Sequence, residues 1–167
     1  MQKLEDYIPK LRNREKIDDI NNEIINIELK IGKIGSKLIV IKSCIKEMEN
    51  QMFKLREKCM NHPPSQKIRD EIEDADNELK DEIKTFSKLN DKICRKEIAL
   101  IKLKQKRKEQ IRIGVIAYRD EIKLRHEKLQ TKLNRQNKPN KNDIDELKEL
   151  ENELEHINQF INREFAG

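Results

Sequence analysis

The sequence predicts an all-α fold: an elongated antiparallel coiled coil, in which two long helices form a hairpin and a short third helix folds back on the overhang of the second. Three observations predict it. Apolar residues recur in steps of three and four without a miss along Ile17, Ile20, Ile24, Ile27, Ile31, Ile34, Leu38, Ile41, Ile45, Met48, Met52, Leu55 and Cys59. That spacing is the heptad seam of a helix lying against other helices. The four prolines, Pro9, Pro63, Pro64 and Pro139, stand at the edges of long proline-free stretches. The composition is 41% charged and only 4% aromatic, which with a heptad period reads as coiled coil rather than as disorder or a globular core.

The elements follow in order. Residues 1–9 form an N-terminal segment that Pro9 separates from the first long helix, expected at about 10–61. His62-Pro63-Pro64-Ser65 cannot continue that helix, because two prolines remove donors and restrict the residues before them; the turn is placed at about 62–66. The second long helix is expected at about 66–137, so the hairpin spans 10–137. Lys138-Pro139-Asn140-Lys141-Asn142 breaks it, with Asn142 or Asp143 as N-cap and Glu146 placed for a capping box. A return helix at about 143–165 completes a C-terminal piece, 138–167, packed on 114–137.

Pairing can be worked out from the turn. A turn centred between Pro63 and Pro64 sets Cys59 opposite Ile68, Leu55 opposite Ile72, Met52 opposite Ala75, Met48 opposite Leu79, Ile41 opposite Phe86, and Ile34 opposite Ile93. Every one of these pairs is apolar. Ile45 with Glu82 and Ile31 with Lys96 are the misfits. A second turn centred at Pro139 sets Leu150 opposite Leu129, Ile157 opposite Ile122 and Ile161 opposite Tyr118, and the acidic return helix then lies along the basic stretch Arg119 to Arg135. Between Leu103 and Ile111 the seam of the second helix shifts by one residue, with Arg107 and Gln110 at the expected apolar positions, a stutter-like change of phase. Tyr7, Ile8 and Leu11, with Leu4, are expected to cover this junction near Ile113, Val115 and Ile116.

Two sets of residues point to function. Ile25, Leu29, Ile39, Val40, Ile98 and Ile101 are apolar beyond what a two-helix seam covers, so they are expected to bind a further helix, self or foreign. Lys102, Lys104, Lys106, Arg107, Lys108 and Arg112 form a basic segment within 95–112, a candidate for phosphates of nucleic acid or anionic lipid. No aromatic residues interleave it, which argues against base stacking.

The remaining signals are weaker. Cys59 and His62 have CxxH spacing but no second pair beside them, so no metal is expected. His126 and His156 face the same expected interface without making a site. No phosphate loop, nucleophile elbow or HExxH motif occurs, so neither catalysis, nor a cofactor, nor a small-molecule substrate is expected. The net charge of +5 is modest, no run approaches the roughly 18–20 apolar residues of a membrane span, and Met1 to Lys16 has no signal-peptide core. Three cysteines without a spacing pattern suggest a reducing compartment, cytoplasm or nucleus. The expected function is a non-enzymatic coiled-coil scaffolding subunit that associates with protein partners through helix packing in a larger assembly. The alternative is a membrane-surface or nucleic-acid-associated protein using the basic segment.

Overall fold

The computed structural model describes residues 4–60, 63–136 and 140–165. A one-turn helix α1 (Leu4–Tyr7) runs into a 3-10 turn at Ile8–Lys10. The long helices α2 (Arg14–Met60) and α3 (Gln66–Asn134) pack on each other as an antiparallel hairpin, and α4 (Lys141–Phe165) packs on α3. No strand occurs among the described residues.

The start of α2 corrects the expectation by four residues. Pro9 sits in the 3-10 turn, and Leu11 is extended at φ −85°, ψ 136°. The chain therefore turns before it can coil, and Asn13 provides the carbonyl that accepts from Ile17 N–H at 3.2 Å. The N-cap of α4 is also corrected. Asn140, not Asn142 or Asp143, accepts the hydrogen bond from Asn142 N–H at 3.2 Å through its Oδ1, the usual service of an N-cap side chain to an orphan donor. Glu146 does not close a capping box; it pairs with Arg125 on α3. At the first turn Ser65 caps α3 with its carbonyl, which accepts from Ile68 and Arg69. His62 and Lys138-Pro139 lie outside the described residues.

The chain divides into two compact units. Unit 2, residues 24–102, is two-stranded. Every ladder residue of α2 from Ile24 to Cys59 is buried or half-buried, and so are Ile68, Ile72, Ala75, Leu79, Glu82, Phe86, Leu89, Ile93, Lys96 and Leu100 on α3. Ile45, Ile83 and Phe86 line one groove, the level at which the turn arithmetic puts Ile41 beside Phe86. Among the described residues, only Ile24 and Met52 are buried here. Two helices cover one side of each other, so a seam between them stays half-wet along its edges.

Unit 1, residues 1–23 and 103–167, adds α4 and the N-terminal segment, and burial becomes complete. Ile17, Ile111, Val115 and Ile157 are fully buried, with Tyr7, Leu11, Ile122, Leu150 and Phe160 in the same core. Each such side chain contributes about 1.5–3 kcal/mol relative to exposure. Leu129, Tyr118 and Ile161 pack against this core together with Ile8. Tyr7 stacks on Phe160 with ring centroids 4.6 Å apart, and Phe165 meets Phe160 edge-on at 5.9 Å. Tyr7, Ile8 and Leu11 thus join Val115 as the spacing suggested, while Ile113 is exposed; the side chain of Leu4 lies outside the described residues.

Candidate interaction surfaces

The phase change on α3 is a widening rather than a jump. Arg107 and Gln110 stay half-buried on the first seam, and Ile111, Val115 and Ile122 open a second beside it. Both positions are bonded across the interface, Arg107 through its side chain and Gln110 through its backbone carbonyl. Arg107 Nε donates to Asn21 Oδ1 at 2.5 Å, and Asn13 Nδ2 donates to the Gln110 carbonyl at 2.8 Å. Gly114 comes next on the same seam. A Cβ there would fall onto Asn13 Oδ1 and within 2.8 Å of Leu11 Cδ1, so the absence of a side chain at 114 leaves room for the ends of these two side chains.

Charge clamps the other interface of unit 1. Tyr118 Oη donates to Glu153 Oε1 at 2.7 Å, and Lys10 Nζ reaches the same oxygen at 3.1 Å. Burial first, then the hydrogen bond to Glu153, pushes the Tyr118 hydroxyl up to about 12. Burial also raises Tyr7, with help from Glu153. Burial alone would raise Glu153, but the hydrogen bonds from Tyr118 and Lys10 and the charge of Lys10 hold it below its ordinary value. Lys132 meets Asp143 at 2.7 Å, Arg125 meets Glu146, and His126 Nε2 stands 3.3 Å from Glu151. The acidic return helix is therefore bound to the basic stretch of α3.

The basic segment is not a uniform exposed patch. Lys102, Lys104 and Lys106 are exposed. Arg107 is half-buried against Asn21, Lys108 Nζ lies 5.9 Å from the Phe165 ring centroid, and Arg112 faces Glu109 at 3.4 Å. Arg107, Lys108 and Arg112, all singled out for polyanion binding, thus have intramolecular partners.

The apolar set lies wholly in unit 2 and is uncovered there. Ile39 is 72% exposed and Val40 62%, and Ile25, Leu29, Ile98 and Ile101 are each more than half exposed. Phe53 and Met60, which the sequence pattern alone does not single out, are exposed as well. On α2 these residues trace a second stripe, Ile25, Leu29, Gly32, Ser36, Ile39, again in steps of three and four. Part of it is concave: Ile25, Glu28, Leu29, Gly32, Lys33 and Ser36 line a shallow groove. Charge is graded along the same helix. Glu15, Asp18, Asp19, Glu23 and Glu28 dominate its first turns, and Lys30, Lys33, Lys37, Lys42 and Lys46 follow with no acid between them.

Cys44 and Cys59 are half-buried and Cys94 is exposed, all free. No group of three potential metal ligands and no helix long and apolar enough to cross a membrane occurs among the described residues. No protein family, curated protein or solved structure matches the chain.

Proposed function

We propose that the protein is a non-enzymatic scaffolding subunit that binds further protein helices along unit 2. One observation carries this reading: large aliphatic side chains stand outward at helical spacing on both α2 and α3, Ile39 and Val40 on the first, Ile98 and Ile101 on the second. Exposed apolar residues scattered singly need no explanation, but a contiguous stripe on a helix marks a binding face. A two-stranded seam whose core is mostly half-buried also gains from a third or fourth helix, because added helices raise burial on both sides. Free cysteines suit a reducing compartment, where such an assembly works without disulfides.

The basic segment supports the polyanion reading less well, since Arg107, Lys108 and Arg112 are engaged within the chain. The test is affinity capture with cross-link mapping from the source organism. A variant carrying Ile39→Glu, Val40→Glu, Ile98→Glu and Ile101→Glu is expected to lose its partners while helicity and thermal midpoint hold. Partners that survive this variant but vanish with Lys102→Glu, Lys104→Glu and Lys106→Glu would defeat the scaffolding reading in favour of a polyanion.

A further inference from the structure

We infer that the groove around Gly32 is the docking site for the same face of a second copy of this chain, packed antiparallel. This rests on the scaffolding reading and names its partner.

The groove lies on the free side of α2. Successive helical residues turn by roughly 100°, which puts the centre of the groove about 140° around the helix from the Ile24, Ile27 and Ile31 seam. A helix seated there does not compete with α3 for the seam.

The face is complementary to itself in shape. Ile25 and Leu29 are large and exposed; Gly32 and Ser36 are small, and a Cβ at Gly32 would meet nothing within 4 Å. A twofold axis passing between Lys30 and Ile31 lays Leu29 over Gly32 of the second copy and Ile25 over its Ser36. Symmetry repeats both contacts, as an isologous interface requires. Parallel packing would instead stack Leu29 on Leu29 and Gly32 on Gly32, large on large and gap on gap.

Charge selects the same orientation. Acids precede the twofold along α2 and lysines follow it. Antiparallel docking lays the lysine-rich stretch of each copy beside the acid-rich stretch of the other, whereas parallel docking lays lysines beside lysines. Packed helices sit about 8–10 Å apart, within a Debye length of about 8–10 Å at physiological salt, so this preference is felt. Small residues that admit a close backbone approach are a recurrent device of helix pairing.

The test uses the full chain with Cys44→Ala, Cys59→Ala and Cys94→Ala. Sedimentation equilibrium is expected to show a dimer that dissociates on dilution and on raising salt. Gly32→Gln fills the hollow, where a Cβ meets nothing within 4 Å; it is expected to weaken association by at least about tenfold, with no fall in thermal midpoint at dilutions where the wild type is already monomeric. An equimolar mixture of Ile25→Cys and Ser36→Cys chains is expected to oxidise to the mixed disulfide. Formation of Ile25→Cys homodimers instead would overturn the antiparallel arrangement, and a dimer indifferent to Gly32→Gln would overturn the site. A chain that is monomeric throughout, yet still captures a partner through Ile98 and Ile101, overturns the dimer and leaves the scaffolding reading standing. A chain that does neither overturns both.

Discussion

Asn13 occupies the space that a side chain at residue 114 would need: its Oδ1 stands against Gly114, while its Nδ2 donates to the Gln110 carbonyl at 2.8 Å. One polar residue just before α2 thereby bonds to α3 and fills the space beside Gly114. Alanine normally improves an exposed helix position over glycine by about 1 kcal/mol. At Gly114 the added Cβ collides with Asn13 and Leu11, and overpacking of this kind costs about 1–3 kcal/mol. Gly114→Ala is expected to lower stability to urea, whereas Gly35→Ala, in open space, is expected to raise it by about 0.4–1 kcal/mol. Opposite signs for the same substitution are the check.

Arg107 and Asn21 should respond unequally to deletion. Asn21→Ala leaves a half-buried guanidinium Nε without its acceptor, and is expected to destabilise by about 1 kcal/mol. Replacing both with leucine removes the polar requirement and extends the apolar seam, so the double variant should be neutral or more stable. A double-mutant cycle in urea measures the difference; a single and a double variant of equal loss would contradict it.

The Glu153 cluster makes stability fall at both ends of the pH scale. Glu153 titrates below its ordinary 4.5 in the folded chain, so the unfolded chain takes up that proton first, and stability drops as pH falls through the depressed value. Tyr118 is raised from 10.0 to about 12; between these values the unfolded chain has lost a phenolic proton that the folded chain keeps, and stability drops as pH rises. Urea midpoints against pH for wild type and Tyr118→Phe test this. The variant should lose the Tyr118 share of the alkaline decline and part of the acid one.

The two units should open with different ease. Ile111 is fully buried in the three-helix core, and Ile111→Ala is expected to cost about 2–5 kcal/mol. Ile34→Ala, on a half-buried seam, should cost less. Hydrogen exchange is expected to be slower in 111–122 than in 72–89, because local opening follows buried contact.

Much of this was legible from spacing. An unbroken heptad ladder named α2, the turn arithmetic set α3 against it despite Glu82 and Lys96, and prolines placed the turns, because a missing donor and a fixed φ exclude a helix whatever surrounds it. The start of α4 was harder to read, since Asn140, Asn142 and Asp143 are all competent caps and the choice depends on where the loop delivers the chain. Arg107 stood both as a misfit on the seam and as a phosphate candidate, because a sequence does not show that Asn21 waits across the interface. His126 similarly faces Glu151, a pairing set by the register of α3 and α4.

The sequence by itself determined the helices, their antiparallel pairing, the apolar surplus at Ile25, Leu29, Ile39, Val40, Ile98 and Ile101, and the excess of lysine after Glu28. These are periodic properties of one chain, and period is what a helix converts into a face. Only the tertiary structure decided which seam residues are truly dry and which basic residues are engaged. Burial depends on how many helices meet at a level: two leave Ile45 half-wet, and the arrival of α4 and Tyr7 closes the core over Ile17 and Ile111. That is a property of contacts between distant segments, which no local pattern records.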